Sequence, residues 1–111
     1  MRKILPALIL LSLPYTAAAV ESTVETTINT LQSYPDYGDG DVIFKVDNPS
    51  KVCKGYWLSP NSKGFNANLS IVLSAYHSST KLTIDGHPED IYKWKGSGTH
   101  FCKLYSVKLI K

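Results

Sequence analysis

Cysteine is scarce in this chain of 111 residues: Cys53 and Cys102 are the only two, which leaves room for a single bridge. Long apolar runs are lacking as well. The longest, residues 4–13, is about half of the roughly 20 apolar residues a bilayer-spanning helix requires, so membrane insertion is not expected. No internal repeat, low-complexity tract or long linker divides the chain, and this argues for one domain. Catalytic signatures are missing too: there is no nucleophile elbow, no HExxH and no pair of carboxylates set on rigid elements. Glu89 and Asp90 are adjacent, so an extended backbone points them apart. His77, His87 and His100 lack metal-ligand spacing, and Asp36, Asp39 and Asp41 lack the spacing and distant glutamate of a calcium loop. An enzyme, a metal site and a cofactor are therefore not expected.

What is present begins with a leader. Arg2 and Lys3 precede the short apolar core, and Pro14 and the small residues Thr16, Ala17, Ala18 and Ala19 follow it. Charge, short greasy core and Ala-x-Ala site in that order describe a secretory signal peptide cleaved near Ala19. Residues 1–19 are thus read as leader and 20–111 as the mature domain, periplasmic or secreted. No cysteine near the cleavage site offers a lipid anchor. Export places Cys53 and Cys102 where disulfides persist, and closing a loop of this length stabilises a small fold by about 4 kcal/mol.

Without the leader, ten lysines face nine acids, and a net charge of about +1 gives no argument for nucleic-acid binding. The distribution is uneven. Residues 20–47 hold six acids and one lysine, whereas residues 48–111 hold nine lysines and three acids.

Periodicity orders the domain. Residues 24–31, rich in Thr, Val and Ile, read as a strand; the turn formers of "SYPDYGDGD", residues 33–41, follow, and Val42, Phe44 and Val46 then alternate with Ile43, Lys45 and Asp47. These two segments predict a hairpin. Residues 52–58 form a third strand that Pro60, Asn61 and Ser62 stop, with Tyr56 and Trp57 straddling it and one ring facing inward. From residue 64 to 78 the period becomes helical, through Phe65, Leu69, Val72, Leu73 and Tyr76. Residues 81–85 give a short strand, residues 87–98 a long loop, and residues 99–110 a last strand. The fold class expected is mainly β with one α-helix: a five-stranded OB-fold barrel in the order β-β-β-α-β-β.

No charge interrupts the stretch between Lys63 and Lys81. Opposite the helix's apolar arc lie Asn66, Ala67, Ser70, Ser74 and His77, all neutral. A surface helix ordinarily turns Lys and Glu outward, so this face points either to self-association, with Ala67, Ser70, Ser74 and His77 at the contact, or to a helix sunk in a groove of its own sheet with a few solvated serines.

The loop "HPEDIYKWKGSG" carries Tyr92, Lys93, Trp94 and Lys95. Aromatic rings stack on the apolar face of a sugar while lysines and backbone groups bind its hydroxyls or a carboxylate, and Trp57 is a further candidate. The alternative is that Tyr92 and Trp94 anchor the loop to the barrel's end. The same aromatic pattern could stack on single-stranded bases, but export and near-neutral charge oppose nucleic acid.

From Cys53 to Gly86 the chain carries a strand with a cysteine, a turn, an uncharged helix ending in "LSAYHSSTKL" and a short strand. This third of the chain resembles the B subunit of subtilase-type cytotoxins, secreted OB-fold proteins that form five-membered rings and bind sialylated glycans. The resemblance implies a homopentamer with its helices lining a central pore, a glycan ligand and an A-type toxin chain as partner. The family's glycan contacts find no counterpart here: Asp85-Gly86 stands where a tyrosine follows the fourth strand, and none of those residues is carried over. The expected function is a non-catalytic binder of cell-surface glycans, the alternative a periplasmic protein-interaction or inhibitor domain without sugar affinity.

Overall fold

The computed structural model describes residues 19–111, so the expected leader lies outside the described residues except for Ala19. Six strands and one helix follow in the order β1 (Glu21–Ser22), β2 (Ile28–Tyr34), β3 (Asp41–Val46), β4 (Gly55–Leu58), α1 (Phe65–Ser78), β5 (Leu82–His87) and β6 (Phe101–Leu109). They make one mixed sheet in the order β1-β5-β6-β4-β3-β2. Every pairing is antiparallel except β4 with β6, which the chain reaches only after crossing through α1 and β5. The molecule is mainly β with one helix, as the periodicity predicts. It differs from the expected pattern in having a sixth strand, β1, and in ending its sheet at two edges, β1 and β2.

One stretch of chain supplies both edges. Glu21 and Ser22 pair with Gly86 and Asp85 of β5, and Thr26 forms an isolated bridge to Leu82 of the same strand. Two residues on, Ile28 is opposite Val46 of β3. The strand expected at residues 24–31 therefore starts later, and it runs on to Tyr34 because Gln32, Ser33 and Tyr34 keep their partners Ile43, Val42 and Asp41.

Alternation decides what each face buries. Val42, Phe44 and Val46 of β3, Tyr56 and Leu58 of β4, Leu82 and Ile84 of β5, and Cys102 and Leu104 of β6 form the main core on the inner face. Helix α1 closes that core with Val72 and Ala75, while Phe65 and Leu69 pack at its margin. The helix starts after a turn in which Ser62 N–H donates to Ser59 O at 2.9 Å, and it ends at Ser79 in the left-handed region with φ 53°. The Tyr56 ring stacks on Phe44 with centroids 5.3 Å apart and lies over Gly86, where a β-carbon would come within 2.8 Å of it. That close approach requires glycine.

Cys53 and Cys102 are joined by a disulfide, both fully buried, beside the parallel pairing of Tyr56 with Cys102. It ties the start of β4 to β6 across a sequence separation of 49 residues. Among the described residues, no helix is long and apolar enough to cross a membrane.

Candidate binding cleft

The outer face of the sheet should be polar if it met water, yet Ile43 of β3 is as buried as the core residues on either side of it. Ile43, Phe101 and Trp94 form a second, smaller core, with Tyr34 and Trp57 packed at its rim. The Phe101 ring lies across Gly55 of β4, where a β-carbon would sit 2.4 Å from it. The cover is the loop at residues 88–99, whose only regular structure is a 3-10 turn, Asp90–Tyr92.

Three hydrogen bonds hold the loop to the sheet, and a fourth, from Lys93, closes it on itself. Trp94 N–H donates to Phe101 O at 2.9 Å, and the Trp94 indole Nε1 donates to Asp41 Oδ2 at 2.9 Å. Trp57 Nε1 donates to Tyr92 O at 2.8 Å, and Lys93 Nζ to Ser97 O at 3.0 Å. The Trp94 ring is wedged among Tyr34, Tyr37 and Phe101, with centroids 5.3, 5.4 and 5.6 Å away. Only 3 % of it is exposed. Trp94 is therefore a wall of the site, and it offers no open face for a sugar to stack on. Of the two readings of this ring, the loop anchor is the one its burial fits.

Between this loop and the β2–β3 turn lies a cleft of about 440 Å³, within the size range of small-molecule sites. Trp57, Lys93, Trp94 and Lys95, expected from the sequence, line it. Tyr92 does not: its ring turns toward β5 and β6, 5.0 Å from the His87 ring, with Lys103 Nζ 5.9 Å from its centroid. The sequence reading missed Tyr37, Asp39, Asp41, Ser59 and Ile91, which line the cleft too. Asp41 carried a signal, since an acid beginning a hydrophobic strand has to find a donor once buried.

Acids and lysines face each other across the cleft. Asp41 is buried, its carboxylate accepting the Trp94 indole N–H and, at 3.4 Å, the Asp39 backbone N–H. Asp39 accepts from Asn61 Nδ2 at 2.6 Å. Lys95 is exposed at the rim. The uneven charge of the chain, acidic early and basic late, is thus brought together at one place.

The helix residues Ala67, Ser70, Ser74 and His77 are all exposed on one stripe, flanked by Leu73 and Tyr76 at 39 % and 40 % exposure. Their exposure fits either expectation, since α1 also packs on its own sheet through Val72 and Ala75 and leaves these residues in solvent. They lie away from the cleft, because α1 packs on the inner face of the sheet and the loop on the outer. No family model matches this chain, and no curated relative matches it.

Proposed function

We propose that this chain is an exported, non-catalytic binding protein that takes a glycan in the cleft between the β2–β3 turn and the loop at residues 88–99. The observation that carries this reading is the cleft itself: aromatic and aliphatic walls from Tyr37, Trp57 and Ile91, a fixed acceptor in Asp41 and cationic donors in Lys93 and Lys95. Sugars present apolar ring faces edged with hydroxyls, and that combination of walls and polar groups suits them. A phosphate backbone would meet Asp39 and Asp41, which weighs against nucleic acid. A binder, not an enzyme, is supported by Asp41, whose carboxylate is already engaged by Trp94.

The finer fold assignment belongs to the same proposal. With β1 set aside, the order β2-β3-β4-β6-β5, the parallel β4–β6 pairing and the helix between β4 and β5 support an OB-type barrel, and the Thr26–Leu82 bridge brings the start of β2 to β5. In that fold the loops joining the first two and last two strands bind oligosaccharides or oligonucleotides, and here they flank the cleft. Kinship with subtilase-type toxin B subunits, a ring built through the uncharged helix face and an A-type partner chain extend the reading. Helices meeting on the inner side would leave every cleft free.

A glycan array probed with the purified protein tests the function. Retention of a defined set of glycans, lost with Lys95→Ala and reduced with Trp57→Ala, is expected; silence from a folded sample defeats it. A second reading, docking onto one protein partner, is favoured by exposed Leu73 and Tyr76 on the uncharged helix. Native mass bears on assembly: about five times the chain mass supports the ring, and that of a single chain removes it.

A further inference from the structure

A second depression of about 260 Å³ lies on the other side of Trp94 from the cleft. Trp94 lines both, so one buried indole is the wall they share. The two hollows differ in chemistry. The first has apolar walls in Trp57, Ile91 and Tyr37 with Asp39, Asp41, Lys93 and Lys95 beside them, whereas the second has a floor of Ile43 and Phe101 edged by Thr30, Gln32, Lys45, Ser97 and Thr99. Register puts these groups side by side: Thr30 is opposite Lys45 and Gln32 opposite Ile43, all on the outer face of β2 and β3. Gln32 and Lys45 are exposed.

Resting on the glycan reading of the cleft, we infer that the ligand is an oligosaccharide of at least two units that crosses the Trp94 ridge, one unit against Trp57 in the apolar hollow and the next hydrogen-bonded by Gln32 and Lys45 in the polar one. Stacking on one side and hydroxyl recognition on the other divide the work between neighbouring sugars, and the ridge keeps them in register. The ridge is rigid for a stated reason. Gly96 lies so close to the indole that a β-carbon there would be 2.4 Å from it, and Asp41 holds the opposite edge through Nε1. A chain lying over this ridge makes contacts on both sides without moving the loop, so little ordering cost attaches to the second unit.

The test uses the whole mature protein, isotopically labelled, titrated with paired probes of one and three units: glucose and maltotriose, N-acetylglucosamine and chitotriose, galactose and globotriose. At least one trisaccharide is expected to bind tenfold or more tightly than its own monosaccharide, shifting amide resonances at residues 30–32 and 96–99 as well as at 57 and 91. Gln32→Ala combined with Lys45→Ala, both at exposed positions, is expected to erase that advantage while leaving monosaccharide affinity within twofold. Equal affinity for the two lengths, or shifts confined to residues around Trp57, overturns the two-unit site and leaves the single cleft standing. No shift with any probe, together with a silent array, overturns the glycan reading and this inference with it.

Discussion

The two faces of the sheet bury aromatic rings by the same device and to different ends. On the inner face Tyr56 lies over Gly86, and on the outer face Phe101 lies over Gly55, each ring occupying the space a β-carbon would have taken. Around Tyr56 the neighbours belong to strands and a helix, and Phe44, Leu82, Ile84, Val72 and both cysteines have no exposure at all. Around Phe101 the cover is a loop with a single 3-10 turn, and Tyr34 and Trp57 remain half-buried at its rim. The inner face thus carries the stability of the fold. The outer face carries a shaped surface, its covering loop held by hydrogen bonds of two tryptophans, Trp94 and Trp57.

The largest expected effect comes from the inner face. Replacing both Cys53 and Cys102 by alanine releases a loop spanning 49 positions, with a predicted loss of about 4 kcal/mol and, for a domain of this size, a fall in melting temperature of roughly 20 °C. Thermal unfolding followed by circular dichroism measures it. A loss under about 1 kcal/mol would mean that strand pairing, not the staple, fixes β4 against β6.

A change on the outer face should behave differently. Trp94→Ala removes most of the second core and is expected to cost about 3 kcal/mol, the low end for a buried tryptophan because the loop can close over part of the space. Amide exchange should quicken at residues 88–101 and at Asp41, while β5 and the inner residues of β4 stay protected, and sugar binding should vanish. If protection is lost equally in β5, the two faces are one cooperative unit and the contrast between them is broken.

Much of the inner face was legible in the sequence, and the outer face was not, for reasons that particular residues show. Alternation set Val42, Phe44 and Val46 on one side of their strand and turned one of Tyr56 and Trp57 inward, the helical period picked out Val72, and export paired Cys53 with Cys102. Each of those signals is local or, for the cysteines, leaves no choice of partner. The second core needs Trp94 to meet Asp41, 53 residues earlier, through an irregular loop whose course no periodicity records. One trace was present: "VIF" at residues 42–44 is a continuous apolar run where a strand with one solvated face would alternate, and Ile43 is the residue the loop covers. Strand β1 escaped notice because its two residues pair with Asp85 and Gly86, far along the chain, and "ESTV" shows no pattern of its own. The first depression could be suspected from Trp57 and the "YKWK" stretch; of its acidic wall only Asp41, an acid opening a hydrophobic strand, left a trace, since Asp39 reads as an ordinary turn former.

The smallest expected effect concerns the seam where the edge strand is fastened. Glu21 of β1 accepts hydrogen bonds from the Ser50 hydroxyl and from the backbone N–H groups of Val52 and Cys53, the latter two at 2.9 and 2.8 Å. Burial works to raise its pKa, but the Ser50 hydroxyl, the two N–H groups and the Lys54 charge outweigh it and hold the carboxyl below its ordinary value. A folded-state pKa below the unfolded one contributes stability above the unfolded value of about 4.5, and that contribution disappears as pH falls through the folded pKa. Asp47, bonded by Thr27 and Asn29, is lowered as well and titrates in the same acid range, so the wild-type profile alone does not isolate Glu21. Glu21→Gln does. Its stability should fall short of wild type by at most about 1 kcal/mol at pH 7, since the site is open enough for water to screen the charge, and the shortfall should shrink as pH drops below the unfolded value of about 4.5 and on through the lowered folded pKa. Urea unfolding at a series of pH values reads the difference. A shortfall that persists unchanged at pH 3 would assign the role of Glu21 to packing of β1, and it would place the fastening of this edge with the inner core, not with the acid-sensitive surface.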